Sequence, residues 1–175
     1  PSGKTAITFP RNSGHIPIYY NATRNRYVGY YGNNSETSYE DSIAAPYYPF
    51  GYGLSYTTFE YSAPVLSDTL MVGRAPVKAT VTVKNTGKYD GYETVQLYIR
   101  DVVTPNYTRP VKELKGFKKV AIAPGQTVKV TFDIDQDMLK FYDPAQSGWV
   151  LEKGKFTAYV GAASDDIRTT VDFAI

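Results

Sequence analysis

Pro49, Gly51 and Gly53 lie within Pro49-Phe50-Gly51-Tyr52-Gly53-Leu54-Ser55-Tyr56-Thr57-Thr58-Phe59, and this stretch separates two kinds of sequence. Proline withholds a backbone donor and glycine enters backbone angles closed to other residues, so neither helix nor strand runs through it. From Leu54 onward, alternate positions share one character, as at the start of a strand. After Phe59 the alternation becomes regular. Val77, Ala79, Val81 and Val83 alternate with Lys78, Thr80, Thr82 and Lys84, then Asn85-Thr86-Gly87 closes the run with turn residues. Val95, Leu97 and Ile99 form the apolar face of 93–101; Leu114, Phe117, Val120 and Ile122 mark 111–122, stopped by Ala123-Pro124-Gly125. Val128, Val130, Phe132 and Ile134 form another apolar face, and 154–161 and 169–175 supply two more strands.

About seven strands in roughly 115 residues, with turn signals between them, predict an antiparallel β-sandwich of immunoglobulin or fibronectin type III-like form. One polar face per strand predicts sheets solvated on the outside. With 42% hydrophobic residues the chain has enough apolar material for such a core. The single tryptophan, Trp149, reads as a core anchor, an inter-domain contact or a sugar platform.

Residues 1–48 are different. Ala6-Ile7-Thr8-Phe9 is a strand-like run closed by Pro10, and the apolar residues of 14–21 are interrupted by Pro17. No period persists from 22 to 48, yet eleven of the seventeen tyrosines lie between Tyr19 and Tyr61. Tyrosines at that density gain by being covered. A stretch this long without a period is usually functional or disordered, whereas its tyrosine density favours an ordered, packed surface.

Nineteen basic and seventeen acidic residues are interspersed, with no basic block longer than Lys118-Lys119. That argues against nucleic acid or an anionic membrane as a partner. No apolar run approaches the roughly 20 residues of a membrane-spanning helix. The absence of cysteine removes thiolate and disulfide chemistry. The opening Pro1-Ser2-Gly3-Lys4 lacks an initiator Met and reads as a piece of a longer protein.

His15 is the single histidine, so a His-based triad or metal centre has no second member. Asp133, Asp135 and Asp137 have the spacing of a calcium loop, but its glycine and final glutamate positions hold Met138 and Pro144. Asp135 instead reads as the cap of a short helical turn over 137–141. Glycoside chemistry needs two carboxylates facing each other across a sugar. Glu36, Glu40 and Asp41 stand in the Tyr-rich segment with no local pocket, and read as solvated loop charges. Asn21, Asn33 and Asn106 each begin a weak glycosylation pattern.

The ordered set Pro1-Ser2-Gly3-Lys4, Ile7-Thr8-Phe9-Pro10-Arg11, Gly14-His15-Ile16-Pro17, Tyr19-Tyr20-Asn21 and Tyr48 to Phe59 resembles the C-terminal part of family 3 glycoside hydrolases. These are β-glucosidases and β-xylosidases. The likeness continues through Val83-Lys84-Asn85-Thr86-Gly87, Gln96-Leu97-Tyr98-Ile99, Arg109 to Phe117 and Val160-Gly161, and so covers essentially the whole chain.

The resemblance implies that residues 1–58 are the tail of an α/β sandwich domain plus linker, and 59–175 a fibronectin type III-like domain. Residues 1–48 would then lack the rest of their domain, and are expected to be partly mobile, above all over 29–42, or to pack back on the sandwich through Tyr and Phe contacts. It implies a non-catalytic region that stabilises the catalytic domains of the same polypeptide, which hydrolyse terminal β-linked glucose or xylose. The alternative is a self-standing carbohydrate- or protein-binding module. The family's nucleophilic Asp belongs to a Ser-Asp-Trp/Tyr setting, which neither Ser67-Asp68-Thr69 nor Ser164-Asp165-Asp166 matches. No catalytic, metal-binding or cofactor-binding residue transfers, and no cofactor is expected. An inter-domain or sugar-contact surface is expected at Tyr47, Tyr48, Phe50, Tyr52 and Trp149. A periplasmic or extracellular setting is implied by where such hydrolases often act.

Overall fold

The computed structural model describes residues 1–23, 45–103 and 107–175. Ten strands follow one another after a short 3-10 turn at Ser13–His15: β1 Phe59–Tyr61, β2 Val65–Leu66, β3 Val77–Asn85, β4 Gly91–Asp101, β5 Glu113–Ile122, β6 Thr127–Ile134, β7 Phe141–Asp143, β8 Gly148–Val150, β9 Lys155–Gly161 and β10 Ile167–Ala174. β3 pairs with β6 along one edge and with both β1 and β2 along the other; β10, β9, β4 and β5 form the second sheet in that order. All these pairings are antiparallel.

β1 and β2 are in effect one edge strand. Tyr61 pairs with Val83 and Val65 with Thr80, a register slip across Ala63 and Pro64, where proline has no proton for the ladder. Counted that way, the sandwich has the seven strands that periodicity predicts.

Along β3, β4, β6 and β9 the core lies where the alternation places it, whereas in β5 only Ile122 is buried and Phe117 is exposed. Val77, Ala79, Val81 and Val83 of β3 and Val130, Phe132 and Ile134 of β6 face Val95, Leu97 and Ile99 of β4 and Phe156, Ala158 and Val160 of β9. Each large side chain buried there contributes on the order of 1.5–3 kcal/mol. Asn85 continues the inward row of β3 and is fully buried. Its Nδ2 donates to the Tyr89 and Ile122 carbonyls, and its Oδ1 accepts from Thr57 Oγ1 and the Gly87 amide. Four partners remove the cost of burying the amide. Asp135 Oδ1 accepts from the Met138 amide at 3.0 Å, the cap expected of it, although the residues it covers form a turn without helix.

Two expectations are corrected, and one of the alternatives for Trp149 falls away. Ala6–Phe9 forms no strand, only a single bridge from Phe9 to Tyr48. The solvated outer face fails at β4, whose residues Glu93 to Ile99 are buried on both sides. Trp149 is no core anchor: it is 69% exposed. It sits on the β7–β8 hairpin, a two-stranded ladder separate from both sheets.

Candidate interaction surface

What covers β4 is the N-terminal arm. Thr5 and the Pro49–Tyr52 turn are tied to each other: the Thr5 amide donates to the Tyr52 carbonyl, the Gly51 amide to the Thr5 carbonyl, and Thr5 Oγ1 to the Pro49 carbonyl. This pair is then fastened to the sheet. Gln96, on the outer side of β4, donates through Nε2 to the Gly51 carbonyl at 3.1 Å and the Ala162 carbonyl at 2.7 Å, while its Oε1 accepts from the Tyr98 hydroxyl. The Ser164 amide donates to the Phe50 carbonyl at 2.9 Å. Lys4 Nζ donates to the Ala162 carbonyl and stands 3.8 Å from Glu93 Oε1. Glu93 also accepts from the Tyr61 hydroxyl at 2.9 Å, and burial, reinforced by that carboxylate, holds the Tyr61 phenol well above the usual range.

Farther along, Tyr20 stacks on Phe50 with ring centroids 4.2 Å apart and meets Tyr98 edge-on. The Leu114 amide donates to the Tyr20 hydroxyl, and the Val111 amide to the Ala22 carbonyl, so residues 20–23 run beside the start of β5. Lys112 is buried here, 6.0 Å from the ring centroids of both Tyr98 and Tyr159. Burial pushes its amine down to about 8, an effect opposed by Asp165. The described part of the arm thus packs back through Tyr and Phe contacts; the span 29–42 expected to be mobile lies outside the described residues, as do Glu36, Glu40, Asp41, Asn33 and Asn106.

The arm's other side carries exposed rings. The Phe9 amide donates to the Tyr48 carbonyl and the Tyr47 amide to the Phe9 carbonyl, both at 2.8 Å. That places Phe9 6.1 Å from Tyr48, Tyr47 4.6 Å from Tyr48 and Tyr48 5.0 Å from Tyr52, a continuous aromatic cluster. Arg11 lies over Tyr47 at 5.7 Å and donates through Nε to the Ala45 carbonyl. Tyr47, Phe9 and Tyr48 are exposed, as are Ile7, Ile16 and Tyr19 on the same arm.

The five residues singled out in the sequence therefore separate into three settings. Tyr47, Tyr48 and Tyr52 come together. Phe50 turns inward onto Tyr20. Trp149 stands apart, its ring 6.0 Å from that of Tyr142. Phe9, Arg11 and Tyr142 were not singled out; Phe9 reaches the cluster through the bridge to Tyr48 and Arg11 is held there by the Ala45 carbonyl, long-range contacts that no local pattern announces. Among the described residues no group of three or more His, Cys, Asp or Glu is gathered as a metal site.

Comparison with known proteins gives this arrangement a setting. A fibronectin type III-like domain model matches residues 93–164. The β-glucosidase BoGH3A of Bacteroides ovatus is 41% identical over 99% of this chain, and the periplasmic β-glucosidase of Salmonella typhimurium 44% identical over 96%. A putative β-xylosidase of Formosa agariphila is 42% identical over 97%. The chain spans only 24%, 22% and 21% of their respective lengths. Among solved structures, the β-glucosidase of Listeria innocua with isofagomine superposes with a TM-score of 0.87 at 36% identity, over 99% of this chain and 24% of that one. The Erythrobacter marinus β-glucosidase EmGH1 gives 0.86 at 34% identity, over 99% and 22%. The chain belongs to glycoside hydrolase family 3, as the C-terminal portion that carries the fibronectin type III-like domain.

Proposed function

We propose that this chain is the non-catalytic C-terminal region of a β-glycosidase that hydrolyses terminal β-linked glucose or xylose, and that it stabilises the catalytic domains of that polypeptide. Residues 1–58 are read as the end of an α/β sandwich domain with its linker, and 59–175 as the fibronectin type III-like domain. One observation carries the reading: the arm is fixed to the sandwich on one side and presents Phe9, Tyr47 and Tyr48 to solvent on the other. With Ile7, Ile16 and Tyr19 exposed on the same arm, the apolar area suits contact between domains of one chain, typically about 600–1,500 Å². The relatives' lengths, about four times that of this chain, leave room for such a partner domain.

The test is turnover of aryl β-glucoside and aryl β-xyloside by this chain alone and by the longer polypeptide. Hydrolysis by the longer protein only is expected, and the preferred glycoside names the sugar. Turnover by the chain alone would overturn the non-catalytic reading and make Glu36, Glu40 and Asp41 the first residues to replace.

A further inference from the structure

The β7–β8 hairpin has one fixed face and one open face. On the fixed face the Arg109 guanidinium lies 3.8 Å from the centre of the Phe141 ring, and Asp143 accepts from the Tyr107 hydroxyl at 2.7 Å, the Ala145 amide and Gln146 Nε2. Asp101 stands 3.9 Å from Arg109, completing the support. Strand geometry sends alternate residues to opposite faces, so Tyr142 points away from Phe141 and Asp143. Its direct cross-strand partner is Trp149. The two rings meet edge to face at 78°, with Tyr142 52% and Trp149 69% exposed.

We propose that this open face is a binding platform for a β-linked oligosaccharide of glucose or xylose, separate from the aromatic cluster of the arm. Size decides between occupants. Two half-exposed large aromatics present on the order of 200–300 Å², well short of the roughly 800 Å² per partner that a stable protein interface needs. The C–H face of one or two pyranose rings fits that area. Rigid Trp and Tyr rings, on a hairpin held by the fixed face behind them, offer contact at low entropic cost. The choice of β-linked glucose and xylose rests on the proposed function; the platform itself does not.

Trp149 is the chain's single tryptophan, so its fluorescence reports on this face alone. Titration of the chain with cellotetraose and with xylotetraose is expected to give a saturable change for at least one of them, with Kd on the order of 1 mM. Tyr142→Ala, which keeps the reporter, should weaken that binding about tenfold, and α-linked maltotetraose should give no saturation. Flat titrations with both β-linked sugars, a response to maltotetraose alone, or a response unchanged in Tyr142→Ala overturns the platform. An emission shift that follows protein concentration without sugar, matched by a dimer in sedimentation, also overturns it and assigns the face to a second copy. None of these outcomes touches the proposed function, which turnover by the longer polypeptide decides.

Discussion

Gln96 and Gly51 are locked together across the outer face of β4: Gln96 Nε2 holds the Gly51 carbonyl, and a Cβ on Gly51 would stand 2.2 Å from Gln96 Oε1. Gly51 also has φ +80°, a conformation that side chains disfavour. The turn that divides the sequence is therefore also the clamp between arm and sandwich.

Gly51→Ala is expected to lose about 2–4 kcal/mol, the sum of left-handed strain and an overlap the buried amide cannot escape. Gly73 is the control. It shares a positive φ, +63°, but nothing lies within 4 Å of its Cβ position. Gly73→Ala should cost only about 1–2 kcal/mol. Urea unfolding of both variants measures the difference, and equal losses would show that overlap with Gln96 contributes nothing.

Asn85 makes the second stability prediction. Removing its amide strands the Thr57 hydroxyl, the Gly87 amide and the Tyr89 and Ile122 carbonyls together. A buried polar group left without a partner costs about 1–3 kcal/mol, and water reaching some of them limits the sum. Asn85→Ala should lose about 3–5 kcal/mol in equilibrium unfolding. A loss below about 1 kcal/mol would mean these groups find other partners at little cost.

Lys112 gives stability a pH dependence with a definite sign. Its folded pKa is pushed down to about 8 by burial, against about 10.4 in an unfolded chain. Between those values the unfolded state holds the extra proton, so this residue makes stability rise with pH across the window. Below about pH 8 the penalty is complete. Lys112→Met should therefore be more stable than the parent by about 1–3 kcal/mol at pH 7, the contacts with Tyr98 and Tyr159 offsetting part of the gain, and the advantage should shrink as pH approaches 10.4. Unfolding midpoints of the two proteins from pH 7 to 10 test this; an advantage constant in pH would separate it from the amine's titration.

β3, β6 and β9 were legible because each has a buried side that recurs every second residue, as β3 does from Val77 to Asn85. The double burial of β4 was not, because Thr94, Gln96 and Tyr98 look like any solvated row until Thr5 and Phe50 are brought over them from far along the chain. The core-anchor alternative for Trp149 stayed open for a different reason. Strands of three residues, such as Phe141–Asp143 and Gly148–Val150, are too short to show a period. The Tyr-rich composition announced a surface, but which rings face out depends on the Phe9–Tyr48 bridge and the Tyr20–Phe50 stack, both long-range.

The aromatic cluster of the arm should behave differently in the two lengths of protein. Tyr47 and Tyr48 are exposed, and among the described residues their rings meet one another, Phe9, Arg11 and Tyr52. Replacing both with Ala should change the stability of the chain alone by no more than about 1 kcal/mol, as for surface sites. In the longer polypeptide, where the proposed function places a domain against them, the same pair should act as a buried hot spot and cost about 2–4 kcal/mol. Thermal unfolding of both proteins with and without the double substitution reads the contrast. A longer protein no more sensitive than the chain would show that the cluster faces solvent there too, and would move the inter-domain contact elsewhere on the arm.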